Sequence, residues 1–109
     1  MAYGSTIEAL ADPTRRAVFE RLRKGPLPVG RLAEGLHVTR PAVSQHLKVL
    51  ERAGLVRARR DGTRRIYQVE IRGLDELRHY LDAFWDDALA AFKKEADHEP
   101  KKGRRHVER

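Results

Sequence analysis

The sequence contains no cysteine, which rules out a disulfide framework, thiolate metal ligation and a cysteine nucleophile. It also lacks any unbroken apolar run of the length needed by a signal peptide or membrane span, both in the opening MAYGSTIEALADPTRR and later. The cytoplasm is therefore the expected compartment. No basic amphipathic helix or lipidation signal points to an acidic membrane surface, so no membrane partner is expected. P-loop and dinucleotide-binding glycine patterns are missing, and so is any internal repeat. No histidine has an evident serine partner, and Ser5 and Ser44 fit other roles, a helix cap and a base reader. With no catalytic constellation to point to, an enzyme is the class with least support.

What is present is a basic chain of one-domain size. Its 109 residues suffice to bury a core without staples. Lysine and arginine number 23 against 16 acidic residues, giving a formal net charge of +7. A surplus of that size creates a long-range field that favours a polyanion, of which nucleic acid is the usual one.

Ser5-Thr6-Ile7-Glu8 has the form of a capping box and predicts a short first helix over Thr6 to Ala11. Asp12-Pro13 reads as an N-cap followed by a proline at the first helical position. The second helix should carry Val18, Phe19 and Leu22 inward and end before Gly25, with Pro26 to Val29 as a stiff connection. Two helical patterns then follow in close succession: Leu32, Ala33 and Leu36 form the apolar stripe of one, and Val43, Leu47 and Leu50 that of the other. Thr39 is the expected N-cap of the latter, with Pro41 in its first turn and Gly54 just past its end. So tight a joint suggests helix-turn-helix. Next, strand-compatible runs from Leu55 to Glu70 flank Asp61-Gly62, a hairpin signal in which both turn positions favour positive φ. A long amphipathic segment, roughly Leu74 to Ala96, closes the ordered part. The expected domain is 1–97, followed by a polar, basic and mobile tail over 98–109.

On the second helix of the pair, Val43, Leu47 and Leu50 cluster on one side, with His46 and Ala53 at the edge. Pro41, Ser44, Gln45, Lys48 and Arg52 lie opposite. Gln pairs bidentately with adenine, Arg and Lys with guanine, and Ser with several base edges, so this side has the chemistry of a major-groove reader. Arg40 in the first turn suits a phosphate. A merely solvated face is the alternative for such a helix taken alone, but the arginine-dense hairpin beside it favours the reader. Arg57, Arg59, Arg60, Arg64 and Arg65 crowd around one turn, although like charges across a strand pair destabilise it. Backbone phosphates would compensate through forked, charge-assisted bonds; edge protection of the strands is the competing explanation. Ile66 and Tyr67 are expected to pack at the root of the hairpin, and His37 and His46 to be a turn residue and a packed residue.

ALADPTRRAVFERL (Ala9 to Leu22) and VTRPAVSQHLKVLERAGLVRARRDGTRRIYQV (Val38 to Val69) together resemble the ArsR/SmtB family of bacterial winged-helix transcriptional regulators. Asp12-Pro13-x-Arg15 and the run from Ser44 to Val56 carry the similarity, which extends over nearly all of the chain up to the tail. The resemblance implies a mainly α fold with a small β-hairpin wing, a winged helix-turn-helix dimerised through its first and last helices. It implies recognition helices in successive major grooves of a near-palindromic operator, with the wings on flanking backbone. Carried over by position, the DNA-binding residues are Thr39, Arg40, Ser44, Gln45 and Lys48 with Arg59, Arg60, Arg64 and Arg65. Two departures are visible. His37 occupies a turn position where glycine or asparagine would take a left-handed conformation more easily, and Gly35 weakens the preceding helix.

In the last segment Leu77, Tyr80, Leu81, Phe84, Trp85, Ala88, Leu89 and Phe92 cover about half the helix circumference, wider than one core requires. In the family this helix pairs with its twin, helped by the first helix. The expected interface is Ile7, Leu10, Leu77, Leu81, Phe84, Trp85, Ala88 and Phe92; burial within one subunit is the alternative. Asp75, His79, Asp82 and Asp86 form a narrow stripe, a donor set suited to nickel, zinc or cobalt, and some family members sense such ions on this helix. A solvated acidic face explains the same stripe. His98 and His106 would join it only by folding the tail back. No cofactor is assigned beyond that divalent ion. The sequence therefore supports a homodimeric regulator binding double-stranded DNA; the resemblance implies that it is a repressor, and control by a metal ion or by a co-regulator protein is the accompanying expectation. An RNA-binding winged helix and a protein-interaction module are the other classes it allows.

Overall fold

The computed structural model describes residues 2–98, with side chains over 4–97, so the expected tail lies outside the described residues apart from the His98 backbone. The elements are α1 (Ala2–Ala11), α2 (Pro13–Glu20), β1 (Leu27–Pro28), α3 (Val29–Ala33), α4 (Arg40–Arg52), β2 (Val56–Asp61), β3 (Arg64–Val69) and α5 (Ile71–His98). The three strands form an antiparallel sheet in the order β1-β3-β2. Residues up to Arg78 form one unit, which contains the core; the second unit, from His79, consists within the described residues of the remainder of α5.

A five-residue joint closes two helices at once. The Asp12 carboxylate accepts from the Arg15 backbone N–H at 3.0 Å and caps α2, while Pro13 supplies a first residue that has no N–H to satisfy. The same bond holds the Asp12 carboxyl below its ordinary value, since it favours the charged form. Arg15 and Arg16 then reach backwards: Arg15 Nε donates to the Ala9 carbonyl and Arg16 Nη1 to the Leu10 carbonyl, each at 2.7 Å. The terminal carbonyls of α1, which have no partner within the helix, are thereby satisfied. Ser5 is not the cap that its sequence context predicts. The helix begins upstream at Ala2, which places Ser5 in its interior.

Ala9, Val18, Leu22, Leu32, Val43, Leu47, Leu50, Leu55, Val56 and Tyr67 make up the buried core, so α1 to α4 and both strands of the hairpin contribute to it. Thr6 is buried among them and donates its hydroxyl to the Ala53 carbonyl at 3.4 Å, tying α1 to the end of α4. That end closes with two bonds, Gly54 N–H to Glu51 carbonyl and Leu55 N–H to Leu50 carbonyl, both 3.0 Å. They form the paired pattern that requires a left-handed residue after the cap, and Gly54, at φ 80°, is that residue.

Several local expectations are corrected. The left-handed turn residue between α3 and α4 is Gly35, at φ 79°, and no non-glycine residue among those described has positive φ, so His37 carries no strain. Gly35 follows the end of α3 rather than weakening it, and Leu36 leaves the helical stripe to pack, half-buried, against the core. The stiff stretch after Gly25 becomes β1, because Leu27 and Pro28 pair with Tyr67 and Ile66 and cover an edge of the hairpin. At the hairpin tip Asp61 stays in the ladder opposite Arg64, leaving Gly62-Thr63 as the two-residue loop. Only Gly62 has positive φ, 66°, as in a type II′ turn.

The last helix starts at Ile71, earlier than its apolar pattern indicates. Glu70 caps it by accepting from the Arg72 N–H at 3.1 Å, and the Glu70 N–H donates to the Leu55 carbonyl at 2.8 Å. Gly73 lies so close to Gly54 that an added Cβ would fall on the Gly54 carbonyl. Gly73→Ala should therefore destabilise the protein by about 1–3 kcal/mol, through forced backbone displacement, despite the better helix propensity of alanine. Urea unfolding at fixed protein concentration tests this; a variant as stable as the parent would show that the two glycines do not pack in solution.

Candidate nucleic-acid interface

The candidate reading surface follows from how α4 is held. Thr39 Oγ1 accepts from the Ala42 N–H at 3.2 Å and Pro41 lies in the first turn, so the helix starts at a fixed residue. Val43, Leu47 and Leu50 are 0% exposed, which fixes rotation about the helix axis. At about 100° per residue, that rotation turns Gln45, Lys48 and Arg52 outward; these three and Arg40, at the start of the helix, are exposed, with Ser44 and His46 half-buried beside the core side.

The wing divides its arginines between two faces. Residues opposite in the ladder share a face, so Arg60 and Arg65 lie with Ala58 and Tyr67, whereas Arg59 lies with Ile66, and Arg64 with Asp61. Ile66 and Tyr67 are buried at the root, as the sequence predicts. Arg60 and Arg65 face each other directly, the like-charge arrangement that costs stability. Arg65 is offset by its aromatic neighbour: its guanidinium carbon lies 5.8 Å from the Tyr67 ring centroid, and hydrogen bonding to Tyr67 pushes its already high pKa up further. Arg64 pairs with Asp61 at 3.6 Å and Arg57 with Glu70 at 3.5 Å.

A surface groove runs between α3, the start of α4 and the wing. Arg40, Ser44, Arg64 and Arg65 line it, so four of the nine residues expected to contact DNA share one concavity. Thr39 at the cap of α4, and Gln45 and Lys48 within it, do not line this groove, and Arg59 and Arg60 lie along β2. The groove also contains Gly30 and Arg31, which the sequence reading does not single out. The Arg40 guanidinium lies 3.6 Å from the point a Gly30 Cβ would occupy, ordinary contact distance, so the arginine packs over the start of α3. A signal for Arg31 was available: it immediately precedes the buried Leu32 on a short helix whose partner helix carries the reading face.

Of the expected interface residues, Ile7 is exposed and Leu10 is half-buried against the core. Leu77 is half-buried, while Leu81, Phe84, Trp85, Ala88 and Phe92 are exposed. Along α5, Asp75 pairs with Arg78 at 3.6 Å. Among the described residues no three His, Asp or Glu side chains gather closely enough to hold a metal ion, and the stripe of Asp75, His79, Asp82 and Asp86 is spread along the helix. Nor is any described helix long and apolar enough to cross a membrane.

Two helices joined by a tight turn, with an arginine-bearing hairpin beside the second, define a winged helix-turn-helix protein. A helix-turn-helix domain model matches residues 10–59. The HTH-type transcriptional regulator Rv2034 of Mycobacterium tuberculosis is 58% identical over 92 residues, spanning 84% of this chain and 86% of that protein. The HTH-type transcriptional repressor SmtB of the same species is 43% identical over 68 residues, 62% of this chain and 50% of its own length. An ArsR-like transcriptional regulator from Rhodococcus sp. RHA1 superposes with a TM-score of 0.72 at 31% identity, covering 90% of this chain and 95% of that one. The chain belongs to the ArsR/SmtB family: it is a DNA-binding transcriptional regulator, not an enzyme.

Because the Thr39 hydroxyl holds the first turn of α4, Thr39→Ala should cost about 1 kcal/mol of stability and weaken operator binding in gel-shift titration. Unchanged unfolding and unchanged binding would show that the cap contributes to neither.

Proposed function

We propose that the protein is a homodimeric repressor of a near-palindromic operator. Gln45, Lys48 and Ser44 read base edges in the major groove, Thr39 and Arg40 hold phosphates at the start of α4, and Arg59, Arg60, Arg64 and Arg65 grip flanking backbone. The observation that carries this reading is the outward row of Gln45 and Lys48, set by the buried stripe behind it and bordered by the arginine-lined groove. Repression accords with the similarity to SmtB, a transcriptional repressor.

A dimer is supported by α5. Phe84, Trp85 and Phe92 are 64%, 65% and 67% exposed in a single chain, and a contiguous aromatic row of that kind marks a surface that is covered in use. A second copy, with Ile7 and Leu10 contributing, would cover it and place two recognition helices about one helical turn apart on DNA. The fit to a palindrome follows from that two-fold axis. Control by nickel, zinc or cobalt through Asp75, His79, Asp82 and Asp86 would need donors beyond one helix, which a second copy or a co-regulator protein would supply.

With an operator drawn from genomic fragments that the purified protein retains, Gln45→Ala should relax sequence preference. Arg64→Ala should weaken all duplexes alike and flatten the salt dependence by about one unit. Identical behaviour of the two variants would overturn the assignment of roles, and tighter binding to structured RNA than to any duplex at matched salt would replace DNA as the target. For the dimer, Phe84→Glu should give a monomer in sedimentation velocity and lose operator affinity while keeping the helical content of the parent. A variant that stays dimeric would remove α5 from the interface.

A further inference from the structure

The groove between α3, the start of α4 and the wing is bordered by two carboxylates to which the DNA-binding reading gives no task. Glu34 lines it, with Oε1 3.4 Å from Arg31 Nε. At the wing tip Asp61 Oδ2 lies 3.6 Å from Nη2 of Arg64, which lines the same groove. All four side chains are more than half exposed, 65% and 67% in the first pair and 61% and 58% in the second. Water already competes for such pairs, so they exchange readily with another anion. A carboxylate and a phosphate present arginine with the same kind of acceptor: a negative oxygen that the guanidinium fork can engage.

We propose that Glu34 and Asp61 are resident competitors for two phosphate seats. In the free protein they occupy Arg31 and Arg64, the DNA backbone must displace them, and duplex affinity is set below what the arginines alone would give. Arg31 thereby joins the DNA-contacting surface. The proposal rests on the DNA-binding reading above and specifies how its backbone contacts are tempered. The physical consequence is selective: Gln45 and Lys48 lie outside the groove, and of the base readers only Ser44 lines it, so the acids lower the phosphate share of binding and leave the contacts of Gln45 and Lys48 untouched.

The test uses the full chain, a mixed-sequence duplex and the variants Glu34→Gln, Asp61→Asn and Arg31→Gln. Glu20→Gln, an exposed carboxylate outside the groove, serves as control. At roughly 50 mM salt Glu34→Gln and Asp61→Asn should each bind about two- to five-fold tighter than the parent, with a salt dependence steeper by up to about one unit. Arg31→Gln should bind more weakly. The gain from Glu34→Gln should fall to no more than about half when Arg31 is already glutamine, because competition needs both members whereas net charge does not. A gain equal in both backgrounds, or no larger than that of Glu20→Gln, would reduce the acids to general charge and overturn the proposal. If the parent binds no duplex at any salt, the DNA-binding reading itself is refuted, and this proposal falls with it. Thermal unfolding of each variant separates loss of fold from loss of contact.

Discussion

Burial of one side of α4 is the constraint on which the rest of the molecule depends. Val43, Leu47 and Leu50 are wholly inside, and truncating one such leucine typically costs about 2–5 kcal/mol, a large part of the stability of a domain this size. The helix therefore cannot roll to present another face. Gln45 and Lys48 point outward because the core holds the opposite side. Caps at each end complete the restraint: Thr39 sets where the helix starts, and Gly54 lets the chain leave at a fixed angle into the wing.

Charge is the second organising term, and it acts against the fold. An isolated hairpin with five arginines around one turn would repel itself. The structure disperses part of that charge locally, through Asp61 on Arg64, Glu70 on Arg57 and the Tyr67 ring beside Arg65, and by sending neighbouring arginines to opposite faces. Exposed pairs of this kind contribute only about 0.2–1 kcal/mol each, so they temper the repulsion without consuming the arginines. A surface poised in this way meets a polyanion with cations still available, which suits a family of DNA-binding regulators.

The long helix serves two ends. Its first turn is bound into the core unit by the Glu70 cap and by the close approach of Gly73 to Gly54, the residue that also terminates α4. Its later part, taken by itself, carries a broad exposed apolar row that includes Phe84, Trp85 and Phe92. The helix that would join two copies thus begins against the end of the helix that would read DNA.

Much of this was legible in the sequence because it is governed by local rules. Asp12-Pro13, Thr39 with Pro41, and Gly54 announce helix ends through chemistry confined to a few residues, and the 3.6-residue period of Val43, Leu47 and Leu50 identifies the buried side. Where two local readings compete, the sequence misleads: Ser5 has the form of a cap but lies inside a helix that begins earlier, and His37 was a plausible left-handed residue until Gly35, two positions before it, took that role. What the sequence by itself determined is the order of helices and hairpin and which side of α4 faces the core, since propensity, capping and periodicity are short-range. Only the tertiary structure decided that Leu27 and Pro28 become a strand, that Gly73 must lack a side chain, and that Arg31 and Glu34 share a groove with Arg40 and Arg64. Those facts depend on segments distant along the chain coming within bonding range, and no local pattern encodes that distance.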